Sequence, residues 1–357
     1  MEAHVGHRAS RRPNVSVVLA ASDGADHLVR AVESVLNQSY SDFELLTVDC
    51  ASHDRTASIL SSFHDRDIRV EVIERDDSAL ASGVVEALDR ARGAYVMFVR
   101  PEDWLAPNAL GNLVEFAEEH RLDIAAPMRS DDVWDAQDRS SSSQPRRAAS
   151  CVLDGRDAVR HGMSDLYEQG LLSQATGLLI ERMRAVDHRL ALATDDEGLG
   201  FVIACLEDAE RIGACDTACY HRVAFGKKGQ RTFDPAFMSR CANEHTQMMG
   251  LVRRWGLDCD PDVVVPLHRR HVRRLIECID NTTVGKSRVS SIERLGRVQE
   301  MLNAEDARAS LAAVKPAASD FGIMYKPMTQ GNAAACCMGS HLREFARQSH
   351  LPLFAQR

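Results

Sequence analysis

The sequence is poor in aromatic residues and carries no excess of positive charge. Phe, Trp and Tyr make up 5% of its 357 residues, and the formal net charge at pH 7 is -9. A low aromatic content leaves few platforms on which nucleic-acid bases could stack. A net acidic chain also lacks the basic face that binding to phosphate backbones requires. We therefore expect no nucleic-acid partner.

Long apolar runs and a compact cysteine framework are missing as well. No apolar run is long enough to span a bilayer, and Met1 to Asn14 is polar and basic rather than like a secretory signal. The ten cysteines are scattered along the chain. These features predict reduced thiols in a cytoplasmic protein, whose membrane contacts, if it makes any, are peripheral and at the inner face of the membrane.

Strand and helix patterns alternate at short intervals over the first ninety residues. Apolar runs begin at Val15, Phe43 and Val70, and each is followed by a segment with helical spacing. Continuous apolar runs are typical of strands buried on both faces, and the alternation indicates βαβ units. We predict an α/β fold with a mixed, mainly parallel sheet flanked by helices.

Beyond Phe233 the pattern becomes helical and rich in arginine. We predict three segments: a flexible tail over 1–13, an α/β domain over 14–232 and a helical C-terminal region over 233–357. Within this region, Gly331 to Ser340 is predicted to be flexible because its residues are small. The Arg269-Arg270 and Arg273-Arg274 pairs indicate a solvated helix face, or a weak contact with anionic lipid.

The stretch from Ala94 to Leu105 joins an apolar strand to an acidic loop. Pro101 ends the strand because proline cannot donate to a ladder, and Glu102 and Asp103 follow it. Ligands of open α/β sheets bind beyond the carboxyl ends of the strands, where an acidic pair could hold a divalent cation. The same pair could instead only favour the N-terminus of the next helix, and the residues alone leave both interpretations open.

Four segments in this order, Ser16–Asp23, Val35–Glu44, Val48–Asp54 and Ala91–Leu105, resemble motifs of the family 2 glycosyltransferases, which have the GT-A fold. The family patterns read SVIIPVYN, LNQTY, VVDDGSTD and ARGEYIAFLDADDWL; this chain has Leu36-Asn-Gln-Ser-Tyr40 for the second and Val99-Arg-Pro-Glu-Asp-Trp-Leu105 at the end of the fourth. The resemblance continues more weakly to about Arg222.

The resemblance implies an inverting transfer of a sugar from a nucleotide-sugar donor, usually with Mg²⁺ or Mn²⁺. The acceptor would be a glycan, a lipid-linked molecule or a small molecule, as in polysaccharide or cell-envelope synthesis. A metal would neutralise the leaving diphosphate, and a carboxylate would deprotonate the acceptor hydroxyl. The implied positions are Ala21, Asp23, Asp49 and Arg100 for the donor, Glu102 and Asp103 for the metal, and Asp196 and Glu197 for the base.

Several positions depart from the family pattern. Arg100 replaces the first carboxylate of the metal motif, Cys50 and Gly198 each replace an aspartate, and Val84 replaces an arginine. An arginine repels a metal ion but can pair directly with phosphate. Two hypotheses follow. Either the chain is an active transferase with a reduced or metal-independent site, or it is a degenerate, non-catalytic GT-A module that binds a partner or scaffolds an assembly.

Overall fold

The computed structural model describes residues 12–134, 140–142, 149–193, 198–225, 233–284 and 289–348. The chain forms two compact units. The described part of the first comprises residues 12–130, 149–155, 174–193 and 198–222, and that of the second comprises residues 131–134, 140–142, 156–173, 223–225, 233–284 and 289–348. Residues 156–173 thus group with the C-terminal helices, although the sequence prediction places them in the α/β domain. Most of the predicted tail lies outside the described residues.

Strands of the first unit form a single mixed sheet. They are β1 (Val15–Ala21), β2 (Phe43–Cys50), β3 (Val70–Arg75), β4 (Tyr95–Phe98), β5 (Trp104–Leu105), β6 (Ile124–Trp134), β8 (Cys151–Asp154), β9 (Leu179–Glu181) and β10 (Arg211–Phe225), of which β6 and β10 continue into the second unit. The order is β3-β2-β1-β4-β9-β6-β10-β5, with β8 paired to β10. β1 to β4 pair in parallel, whereas β9 and β5 join antiparallel. The predicted mixed sheet is confirmed.

Helices on the faces of this sheet follow the predicted alternation. They are α1 (Leu28–Leu36), α2 (Thr56–Arg66), α3 (Leu80–Arg90), α4 (Ala109–His120), α6 (Arg182–Asp187) and α7 (Leu199–Glu207), with a 3-10 helix at Arg189–Ala193. Every residue of β1 and β2 is buried, as expected for strands covered on both faces. The parallel strands therefore bring their carboxyl ends to one edge.

The second unit is mainly helical. Its elements are α5 (Arg156–Glu168), α8 (Phe237–Arg254), α9 (Pro261–Val284), α10 (Ser291–Asn303), α11 (Glu305–Ala313), α12 (Tyr325–Thr329) and α13 (Ala333–Gln348), a 3-10 helix at Lys315–Met324 and the short strand β7 (Ser140–Ser142), which pairs with the end of β6. α9 lies at the centre, packed against α5, α8, α11 and α13. Among the described residues, no helix combines the length and apolarity needed to cross a membrane.

Two predictions for this unit are wrong. Residues 331–340 are not a flexible segment, because α13 begins at Ala333 and buries Cys336 and Ser340. Small residues there permit close packing rather than mobility. The arginines of α9 do not form a solvated face either. Arg269 and Arg273 pair with Glu168, and Arg270 and Arg274 with Glu244.

Candidate functional site

The candidate site lies where β1, β2, β3 and β4 end at one edge of the sheet. Ala21 is the last residue of β1, is fully buried, and pairs in register with Asp49 near the end of β2. The loops after β1 and β4 meet beside it, since a Cβ added at Gly24 would lie 3.5 Å from the Cβ of Pro101. The structure thus brings the predicted donor positions from three separate motifs to the same edge.

Asp23 joins the loops after β1 and β2. Its backbone N–H donates to the hydroxyl of Ser52 at 3.0 Å, and its Oδ1 accepts from the backbone N–H of His53 at 2.7 Å. Asp23 itself has a left-handed conformation, with φ of 53°. In the same loop, Asp54 accepts from the N–H of Thr56, the first residue of α2, although the N-cap position of that helix is Arg55. Asp23 therefore holds together the two loops that lie beside the carboxyl edge of the sheet.

Asp49 is a buried carboxylate with an unused oxygen. Its residue is 7% exposed, and no described residue provides a hydrogen-bond partner for Oδ1. A buried polar atom without a partner is uncommon in folded proteins, and it calls for a specific explanation such as a ligand. Asp49 is therefore the best-defined candidate for a ligand contact at this edge.

Arg100 and Glu102 form an ion pair on the loop after β4. The guanidinium of Arg100 is half exposed, and its Nη2 contacts Oε1 of Glu102. Arg30 on α1 donates to the backbone oxygen of Glu102 at 2.7 Å, and the N–H of Asp103 donates to the oxygen of Arg100 at 3.1 Å, closing a turn. The turn thus presents a cation whose charge is partly balanced by a neighbouring carboxylate.

Asp103 faces the interior rather than the edge. It is 0% exposed, and its Oδ2 accepts a hydrogen bond of 2.7 Å from the hydroxyl of Tyr220 on β10. Burial, followed by the charge of Asp103, raises the pKa of Tyr220 well above its usual value, so that the phenol keeps its proton. Asp103 is committed to a contact inside the protein.

These contacts do not fit the predicted metal ligands. A divalent cation would need both Glu102 and Asp103 turned towards it, whereas Glu102 pairs with Arg100 and Asp103 is enclosed with Tyr220. Across the ranges that the structure describes, no group of three or more His, Cys, Asp or Glu side chains is arranged to hold a metal. The loop after β4 instead places the guanidinium of Arg100 at this edge.

The predicted base residues, Asp196 and Glu197, lie outside the described residues. The chain resumes at Gly198, which precedes α7 with φ of +73°. A Cβ added there would lie 2.9 Å from the Cβ of Ala175. The family's aspartate would therefore be strained at Gly198 in both backbone and packing.

Two residues of the site were missed by sequence reasoning. Arg30 looked like an ordinary polar position on α1, and nothing local to it indicates its contact with Glu102. Tyr220 stands in a segment that resembles a family motif, but its partner Asp103 is 117 residues away. The only available signal was that Tyr220 lies within the weaker part of the family resemblance, which continues to about Arg222.

Comparisons with known proteins agree with this geometry. Residues 16–174 match the family model described as glycosyl transferase family 2. The uncharacterized glycosyltransferase EpsJ of Bacillus subtilis is 23% identical over 279 residues, covering 74% of this chain and 77% of EpsJ. The putative teichuronic acid biosynthesis glycosyltransferase TuaG of the same species is 34% identical over 109 residues, covering 30% of this chain and 43% of TuaG.

Solved structures show the same fold. The crystal structure of residues 1–349 of TarS from S. aureus, in complex with UDP-GlcNAc, aligns with a TM-score of 0.57. The alignment covers 93% of this chain and 92% of the TarS chain, at 12% sequence identity. At this level of identity the likeness establishes the GT-A fold alone.

Proposed function

We propose, from the premise that residues 16–174 belong to the family 2 glycosyltransferases, that this chain transfers a sugar from a uridine-diphosphate sugar to a glycan or lipid-linked acceptor of the cell envelope. The observation that carries the proposal is the unpartnered Oδ1 of Asp49 at the carboxyl edge of the parallel strands. UDP-GlcNAc bound to TarS, which has the same fold, supports uracil as the base.

Asp49 would recognise the base through hydrogen bonding. A carboxylate only accepts hydrogen bonds, and the N3–H of a uracil ring is a donor that could reach a buried acceptor. Ala21 and the loop held by Asp23 would form the walls beside the nucleoside. Binding would give a partner to Oδ1 of Asp49, which the described residues leave without one, and would give the ligand a favourable, directional contact.

Arg100 would hold the diphosphate in place of a metal. A guanidinium matches phosphate geometry with two parallel hydrogen bonds, and it can offset the negative charge that develops on the leaving diphosphate. Glu102 would act as its counterion until phosphate displaces it. In the inverting reaction a separate carboxylate takes the proton of the acceptor hydroxyl, for which Asp196 and Glu197 stay the predicted candidates.

The test is binding of UDP, GDP, CDP and dTDP, each with and without Mn²⁺, followed by thermal unfolding. A ligand that binds the native state raises the melting temperature by mass action. We expect a shift with UDP that does not depend on Mn²⁺ and that is largely lost in Arg100→Ala. Arg66→Ala, an exposed arginine on α2, is the matched control and should keep the shift.

Two results would contradict the proposal. A UDP shift that appears only with Mn²⁺ would restore the metal and remove the assigned role of Arg100. No shift with any nucleotide at millimolar concentration would leave the non-catalytic module, bound to a protein partner, as the better hypothesis. Contact with the membrane surface stays a prediction, which binding to vesicles of anionic lipid would test separately.

A further inference from the structure

Asp103 and Tyr220 connect the Arg100 turn to the interior of the first unit. The Tyr220 hydroxyl donates to Oδ2 of Asp103 at 2.7 Å and accepts from the backbone N–H of Arg100 at 3.4 Å. The N–H of Asp103 in turn donates to the oxygen of Arg100 at 3.1 Å. The two ends of the turn are thus tied to one phenol and to each other.

The position of the phenol is itself fixed. Tyr220 is 0% exposed, and its ring packs against Gly177, where an added Cβ would lie 2.7 Å from the ring. Gly177 donates its N–H to the oxygen of Phe98, the last residue of β4, at 2.8 Å. Any side chain at position 177 would push the ring away, so the absence of one lets β10 bring its tyrosine beneath the end of β4.

We infer that Asp103 and Tyr220 form a positioning pair for Arg100, and that Asp103 is neither a metal ligand nor a base. This inference rests on the proposed function, since it assigns to Arg100 the contact with the donor diphosphate. A metal ion fixes a diphosphate through its own coordination geometry, whereas an arginine on a loop needs its backbone held by the protein. The buried pair provides that support without touching the substrate.

Three substitutions separate positioning from metal binding. Asp103→Asn keeps an oxygen that can accept from Tyr220 but removes the charge that makes a carboxylate a strong ligand of Mg²⁺ or Mn²⁺, so we expect the Kd for UDP to stay within about threefold. Tyr220→Phe removes the hydroxyl and should raise this Kd about tenfold. Asp103→Ala removes the acceptor and should lower kcat/KM for the donor about a hundredfold. The KM for the acceptor should change little in each case.

A matched control exists in the second unit. Tyr167 is equally buried and donates to Oε1 of Glu244 at 3.0 Å, so Tyr167→Phe makes the same chemical change in the other unit. It should lower the melting temperature and leave the Kd for UDP unchanged. If Tyr220→Phe lowers the melting temperature by as much as Tyr167→Phe and leaves the Kd for UDP unchanged, the pair is merely structural and the inference is wrong.

The remaining outcomes are also decisive. Suppose that Asp103→Asn folds but binds UDP as poorly as Asp103→Ala does, and that Mn²⁺ strengthens UDP binding by the wild type alone. Asp103 is then a metal ligand. If the wild type binds no UDP, the proposed function fails and takes this inference with it. If the wild type binds UDP and only the expected effects of Tyr220→Phe and Asp103→Ala are missing, the positioning role alone fails.

Discussion

Asp49 in the first unit and Glu244 in the second are both buried carboxylates, with 7% and 9% exposure. Glu244 is saturated: Tyr167 donates to Oε1 at 3.0 Å, Arg270 pairs with it at 2.7 Å, and Arg274 donates to Oε2 at 3.1 Å. Asp49 has an oxygen for which the described chain offers no partner. The carboxylate of Glu244 thus has partners for both oxygens within the fold, whereas that of Asp49 has an oxygen without a partner among the described residues.

This difference indicates two roles. Burying a charge is unfavourable unless partners within the fold compensate for it. Burial alone raises the pKa of Glu244, yet the charges of Arg270 and Arg274 outweigh it and hold the pKa below its usual value. Glu244 therefore stabilises the helical unit. Among the described residues Asp49 gains no comparable compensation, and a bound ligand that donates to Oδ1 would supply it.

The largest expected effect is the loss of stability caused by Glu244→Ala. Glu244→Ala leaves Arg270 and Arg274 without their shared carboxylate and should lower the free energy of unfolding by about 3–5 kcal/mol, as measured by urea denaturation. Glu300→Ala, an exposed position on α10, should change it by less than about 0.5 kcal/mol. Equal effects from both substitutions would show that the buried ion pairs do not stabilise the unit.

Asp49→Asn should weaken ligand binding rather than lower stability. The isosteric amide loses the charged acceptor, so binding of UDP should weaken by about 1–2 kcal/mol, or roughly five- to thirtyfold in Kd by isothermal titration calorimetry. The free energy of unfolding without ligand should stay level or rise by up to about 1 kcal/mol, because a buried charge is removed. A stability loss like that of Glu244→Ala, with unchanged Kd, would make Asp49 a structural residue.

Sequence patterns predicted the framework of the first unit well. Apolar runs located β1, β2 and β3, and helical spacing located α1, α2 and α3, because each pattern reports burial over consecutive residues. The motif order then identified the edge that holds Asp49. These features depend on local sequence and on the rule that parallel strands end together.

Long-range polar pairing could not be predicted in the same way. Glu102 and Asp103 are adjacent and both acidic, yet one pairs with Arg100 and the other is enclosed with Tyr220. The arginines of α9 looked solvated because their partners, Glu168 and Glu244, lie on α5 and α8. In both places the three-dimensional packing decided which partner each charge meets, and no short segment contains that information.

His245 limits the comparison, because it too has an unpartnered buried atom. Its Nδ1 meets no described hydrogen-bond partner, and its ring stacks on that of His271 at 4.0 Å. Burial and the neighbouring histidines lower the pKa of His245 to about 2, and burial also lowers that of His268 and His271. A neutral ring loses far less on burial than a carboxylate does, so this atom needs no ligand.

The neutral state of the buried His245 ring can be tested through the pH dependence of the free energy of unfolding. The unfolded state protonates His245 below pH 6.5, whereas the folded state keeps it neutral. The contribution of His245 to the free energy of unfolding is therefore fully present above pH 6.5. It falls as the pH drops, by about 1.4 kcal/mol at pH 5.5. His245→Phe keeps the stacking but cannot titrate, and should reduce the loss of unfolding free energy between pH 7.5 and 5.5 by that amount. His53→Ala should not reduce this loss, because the side chain of His53 is 90% exposed. If His245→Phe leaves the pH dependence unchanged, the folded state takes up the proton of His245 as readily as the unfolded state does, and the interpretation of His245 as a neutral buried ring is wrong.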